Sequence, residues 1–274
     1  MKFSKKQKYI SIGGFTLLFL IVAFLLSTLT FDASDEIGSD YSETNLNALS
    51  ETLLRYIKDG RSTTELQAQL DQISMETLVN GLASDAQKIA FWVNIYNAYI
   101  QILLSEHPEL YKDKNAFFKV DQIPIAGTRI SFAFIEHGIL RKSQWELGGG
   151  YIHKWFTSKM ERNLRVYQPD YRIHFALNCG AKDCPPVAIY EPGRLDDQFE
   201  AGTKRFLMRT TTLQDDIDAV EVTALFSWFR GDFGGKKGTL SILEEFQIIS
   251  RNAAQSLSFK DYDWTLELDN FIDL

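Results

Sequence analysis

Ser84-Asp-Ala-Gln-Lys-Ile-Ala-Phe-Trp-Val-Asn-Ile-Tyr-Asn-Ala-Tyr-Ile-Gln-Ile-Leu-Leu-Ser105 decides the fold. Ser84 and Gln87 have the spacing of a capping box, and His107-Pro108 supplies a stop, so a helix is predicted from Ser84 to about Ser105. Apolar side chains occur all round it, which means that tertiary structure must cover it on nearly every side. Asn94, Asn97 and Gln101 interrupt that surface at i, i+3 and i+7 and therefore share one stripe. A buried carboxamide without a partner costs on the order of 1–3 kcal/mol. Each of the three must bond to the backbone of a neighbouring loop or line a polar cleft.

Upstream, Leu46, Leu49, Leu53 and Ile57 repeat at helical spacing and stop before Gly60, and Leu66, Leu70 and Ile73 mark a second short helix, the two making a helical cap. Downstream, Ile123 to Ile130 alternates around a glycine turn and predicts a hairpin. Ser131 can cap a helix to about Arg141, with Phe132, Ile135 and Ile139 inward. Glu136 and His137 are adjacent on it, so at most one of them squarely faces a site. After Gly148-Gly-Gly150, Tyr171 to Asn178 gives the best strand, Arg194 to Arg209 a helix, Val220 to Val222 a short strand and Leu240 to Ala254 a final helix. The class expected is α+β: a helix-rich single domain around a small, mostly antiparallel sheet.

Lys2, Lys5, Lys6 and Lys8 precede an uncharged stretch from Ile10 to Leu29, long enough to cross a bilayer, and acidic residues follow it. The charge asymmetry predicts a basic cytoplasmic segment over 1–9, one transmembrane helix over 10–30, a tether over 31–44 and an extracytoplasmic domain over 45–274. A cleaved signal peptide is the other reading. The membrane, through this helix, is one expected partner, and an envelope peptide or protein is another. A net charge of -7, with basic residues scattered, excludes an electrostatic footprint for nucleic acid.

The chemistry-bearing residues gather in His174-Phe-Ala-Leu-Asn-Cys-Gly-Ala-Lys-Asp-Cys-Pro-Pro186. On a strand, His174, Ala176 and Asn178 would share a face, with Cys179 at the end where Gly180 lets the chain turn. One reading makes Cys179 a nucleophile, His174 or His137 its acid-base partner, and Asn94, Glu136 or Asn178 the orienting group. Asn97, Gln101 and Asn178 would then contact substrate. The competing reading is a Cys179–Cys184 disulfide that staples the turn, favoured by export. His137, His174, Glu136 and the two thiols are also metal-ligand types, but Cys-x4-Cys is not a tight zinc spacing, so no metal or other cofactor is expected. The best functional expectation is a thiol-dependent hydrolase or acyl transferase acting on envelope amides or peptides. The alternative is a non-catalytic envelope binding or scaffold module.

Ala90-Phe-Trp-Val-Asn-Ile-Tyr-Asn-Ala98, Ile135-Glu-His-Gly-Ile-Leu-Arg141, Arg172 to Pro186 and Tyr262-Asp-Trp-Thr-Leu266 resemble, in order, the blocks of the domain-of-unknown-function 547 family. Asp183 stands where that family more often has Ser. The resemblance implies an exported or anchored protein and marks Asn94, Asn97, Glu136, His137, His174, Asn178, Cys179 and Cys184, without implying an activity. The order of central helix and later histidine strand is also similar to papain- and transglutaminase-like folds, although no cysteine lies on the Ser84 helix.

Overall fold

The computed structural model describes residues 45–214, 219–250 and 256–274. The expected transmembrane helix, basic segment and tether lie outside these residues. Among the described residues, no helix is long and apolar enough to cross a membrane.

Helices α1 (Leu46–Lys58), α2 (Thr64–Gln72) and α3 (Met75–Asn80) lead to the central α4 (Asp85–Glu106). Ser84 and Gln87 form the expected reciprocal capping box, and sixteen of the 22 residues of α4 are buried. A 3₁₀ turn and α5 (Lys114–Lys119) follow, and then the expected hairpin of β1 (Ile123–Ile125) and β2 (Thr128–Ile130). Ser131 Oγ accepts the Phe134 N–H and opens the next helix as expected. Its Phe134–Leu140 section, however, is wound as a π-helix, with Arg141 N–H bonding to Glu136 O at 2.8 Å.

After α6 (Lys159–Leu164) come α7 (Leu195–Thr210), β3 (Thr212–Gln214), β4 (Ala219–Val222), α8 (Leu225–Trp228), α9 (Gly235–Glu245) and β5 (Ser256–Phe259). β4 pairs antiparallel with β3 and parallel with β5. Among the described residues, the single small sheet expected is thus two: an antiparallel hairpin and a mixed three-stranded sheet. The helix expected over Leu240 to Ala254 starts at Gly235 and ends at Glu245, and positions 251–254 of that expectation lie outside the described residues. Gln247 at φ 60° marks the turn that follows it.

The strand expected over Tyr171 to Asn178 is not a strand. Tyr171–Phe175 is a 3₁₀ turn capped by Asp170, whose carboxylate accepts the Arg172 N–H, and the chain continues irregularly to Asn178. Residues 173 to 178 are all buried, so a run that is apolar on both sides carried no period by which strand and helix could be told apart. What a neighbouring strand would have supplied comes from α4. Asn97 Oδ1 accepts the Asn178 N–H at 2.8 Å and its Nδ2 donates to Ala176 O at 3.0 Å. Without a histidine strand, the order shared with papain- and transglutaminase-like folds is not met.

The described residues pack into two apolar cores. One surrounds α1 and α4 and takes in Ile173; the other packs Phe175, Phe206, Val220, Val222, Phe226 and Phe233. The chain passes from the first to the second at His174.

Candidate functional site

A cavity of about 320 Å³ opens between these cores. Its wall includes Tyr96, Glu136, His137, His174, Leu177 and Cys179, together with the aromatic residues Trp228, Phe229, Tyr262 and Trp264. Of the residues selected from sequence, Glu136, His137, His174 and Cys179 meet here. Both members of the Glu136-His137 pair reach the cavity, where one was expected. A π-helix has more residues per turn than an α-helix, so successive side chains diverge by a smaller angle, and such turns recur at functional sites.

Asn94, Asn97, Gln101 and Asn178 do not line it. Asn94 accepts the Tyr190 N–H and donates to Tyr190 O, at 2.9 and 2.8 Å. Gln101 accepts the Asp269 N–H. Asn178 donates to Pro185 O and accepts the Gly180 N–H. These carboxamides bond to loop backbone, the first of the two alternatives the stripe allowed, and so set the path of the segments that carry the site.

The group that orients His174 is none of those expected from sequence. His174 Nε2 donates to Asp232 Oδ2 at 2.8 Å, and the same carboxylate receives Arg141 Nε at 2.6 Å and Nη2 at 3.2 Å. The imidazole stacks on Phe229 with ring centres 3.9 Å apart. Asp232 fits because two glycine turns meet. Gly231 N–H bonds to Gly149 O, and a Cβ on Gly150 would stand 2.3 Å from Asp232 Oδ1. Arg141 also reaches His137, its Nη1 lying 2.8 Å from Nδ1. A guanidinium can only donate, so His137 Nδ1 accepts and its proton sits on Nε2.

Charge follows from this arrangement. Burial pushes Asp232 up, but the hydrogen bonds from His174 and Arg141 outweigh it and hold the carboxyl at about 2. Burial, together with Arg141, drives His137 down to about 3, and burial lowers His174 against the pull of Asp232. Both rings are neutral at pH 7. Glu136 goes the other way: burial raises it to about 7, with Arg141 opposing and Asp232 and Glu146 adding to the rise. The site therefore contains an ionised anchor, two neutral imidazoles of assigned tautomer and a carboxyl half-protonated near neutrality.

Cys179 and Cys184 are joined in a disulfide, so Cys179 carries no thiol in this structure, contrary to the nucleophile reading. Gly180 turns the chain away at φ 83°, as expected. Asp183 accepts the Asp263 N–H and Lys182 N–H bonds to Thr265 O, which seats the 262–266 segment over the disulfide. Among the described residues, no group of three or more His, Cys, Asp and Glu side chains is placed to hold a metal ion.

Asp232, Arg141 and Phe229 escaped the sequence reading. The available signal was a lone acid in the turn Gly231-Asp-Phe-Gly-Gly235, facing a second glycine turn more than eighty residues earlier.

No curated protein and no solved structure matches the chain. Residues 80–207 match the model of a family described as Protein of unknown function, DUF547. The match takes in the first three of the four sequence blocks and Glu136, His137, Arg141, His174, Cys179 and Cys184; Asp232, Tyr262 and Trp264 lie beyond it. The stretch that builds the Glu136 and His174 side of the cavity is thus similar to the DUF547 family.

Proposed function

We propose that the cavity is the active site of a hydrolase or acyl transferase for amide or peptide substrates that works by acid-base chemistry rather than through a thiol. One observation carries the reading: Glu136 lies half-buried in the cavity wall with its carboxyl raised to about 7, beside a His137 held in the Nε2–H form. A carboxyl tuned to the working pH serves best as both base and acid. Glu136 in its ionised form takes a proton from water, or from an acceptor hydroxyl or amine, as that group attacks the carbonyl. The same proton passes to the leaving amine. His137 Nε2–H donates to the oxygen that becomes negative, and a neutral imidazole does so without loss to bulk solvent. His174, with Nε2–H committed to Asp232, keeps Nδ1 as an acceptor for a substrate N–H. The aromatic wall suits an apolar substrate body. Turnover of a library of acylated amides and short peptides tests this reading: activity rising and falling around pH 7, lost in Glu136→Gln and kept in Cys179→Ser, supports it. Loss in Cys179→Ser with retention in Glu136→Gln sinks it.

The second reading, an envelope binding or scaffold module, is favoured by Trp155 and Phe156, 89% and 94% exposed in a segment whose Glu146 lines the cavity. Such uncovered aromatics suit a protein or peptide partner. Binding of envelope peptides that is lost in Trp155→Ser/Phe156→Ser, without any turnover, would favour it. Both readings put the domain outside the cytoplasm, anchored by residues 10–30. The disulfide supports this, since such bonds persist in oxidising compartments. Protease accessibility of residues 45–274 in cells with an intact inner membrane tests the orientation.

A further inference from the structure

We infer that the Cys179–Cys184 disulfide is an exchange site for small thiols, opened by attack at Cys179. The two sulfurs stand in different surroundings. Cys179 is half-buried and lines the cavity, whereas Cys184 is 1% exposed. Cys184 Sγ accepts two hydrogen bonds, from Cys179 N–H at 3.0 Å and from the Tyr262 hydroxyl at 3.2 Å, and that hydroxyl stands farther, 3.6 Å, from Cys179 Sγ. A thiolate breaks a disulfide by attacking the sulfur it can reach, and the rate rises as the departing sulfur is better stabilised as an anion. Here the reachable sulfur is Cys179, and the departing one already faces two donors. Hydrogen bonds to a charged acceptor are stronger than those to a neutral one, so both tighten as Cys184 leaves. Burial raises the Tyr262 pKa, so the phenol keeps the proton it donates.

In the first step the incoming thiolate forms a bond to Cys179 Sγ, the bond between the two cysteines breaks, and its electron pair remains on Cys184. In the second, another molecule of the thiol attacks the sulfur of the first. The bond from that sulfur to Cys179 breaks, the two small molecules leave joined as their own disulfide, and the electron pair of the broken bond stays on Cys179. Two thiols are oxidised to one disulfide, the protein disulfide is reduced, and the two thiol protons end on Cys179 and Cys184. The cavity's volume and its mouth select the thiol class. About 320 Å³ admits a small molecule, and Lys114, which lines the cavity with its Nζ 4.7 Å from the Tyr111 ring and 5.6 Å from that of Trp264, supplies a cation for an anionic one.

This inference is independent of the acid-base reading, because adducts are read without turnover. The full chain is incubated with glutathione or 2-mercaptoethanol across a urea series, quenched in acid and mapped by mass spectrometry. Expected are mixed disulfides on Cys179 and none on Cys184, faster with glutathione, at a rate flat in urea below the unfolding transition. Tyr262→Phe, which keeps the ring and removes one donor, should slow adduct formation about tenfold. Adducts on Cys184, a rate that climbs with urea from the start, or a Tyr262→Phe protein reacting as fast as wild type would each overturn it.

Discussion

Replacing Asp232 by Ala should cost far more stability than a surface acid can. Its carboxylate receives both arms of Arg141 and His174 Nε2, and the Arg141 side chain is 2% exposed. Without Asp232 the guanidinium remains charged and buried with its carboxylate partner gone, a situation that costs about 3–5 kcal/mol. For a folded unit of this size each kcal/mol moves the melting temperature by about 2–4 °C, so the midpoint should fall by about 6–20 °C. Asp232→Asn should restore little, since half of its carboxamide would point a donor at a donor. Arg141→Met/Asp232→Leu removes both charges and should recover most of the loss, because a buried pair and an apolar pair of similar volume are nearly equivalent. Urea unfolding of the purified full chain, followed by far-ultraviolet circular dichroism, measures all four proteins. An Asp232→Ala protein within 1 kcal/mol of wild type, or a double variant no better than the single, would show that the Arg141–Asp232–His174 cluster does not hold the two cores together.

Glu136→Gln should stabilise the protein in a pH-dependent way. The carboxyl titrates at about 7 when folded against 4.5 when free, so its stabilising contribution is full below 4.5 and is lost as pH rises toward 7. The variant's advantage should be near zero at pH 4 and reach about 3 kcal/mol at pH 8, and parallel unfolding curves at the two pH values check it. Acid should weaken the Asp232 cluster between pH 4 and 2, where the wild type loses about 2 kcal/mol that Arg141→Met/Asp232→Leu never had. Asn97→Ala should cost about 1–3 kcal/mol for each backbone group it strands at Ala176 and Asn178, read by denaturant midpoint, whereas Asn45→Ala at the exposed α1 cap should cost about 1 kcal/mol. Cys179→Ser/Cys184→Ser should lose about 2 kcal/mol, the modest value expected of so short a closed loop.

Local signals made the helical frame legible in the sequence. The Ser84 box, the His107-Pro108 stop and the leucine spacing of α1 act within a few residues, and the helices lie where these put them. The 171–178 segment was misread because its conformation is set by a carboxamide on α4, about eighty residues away, rather than by any pattern of its own. Glu136, His137, His174 and Cys179 could be selected by residue type, yet their convergence depended on a π-turn that no spacing announces. Asp232 looked like any acid in a glycine turn, and only the approach of Gly150 and Arg141 gives it a role. Choosing between thiol and disulfide needed the Cα positions of Cys179 and Cys184, 6.1 Å apart, and not their separation in sequence.

The protonation of Glu136 is where the acid-base site stands or falls. Infrared difference spectra of wild type minus Glu136→Gln, taken from pH 4 to 9, isolate its carboxyl band. A midpoint near 7 is expected; a midpoint near 4.5 would mean that Glu136 is an ordinary solvated acid and that the cavity has no group tuned to move a proton.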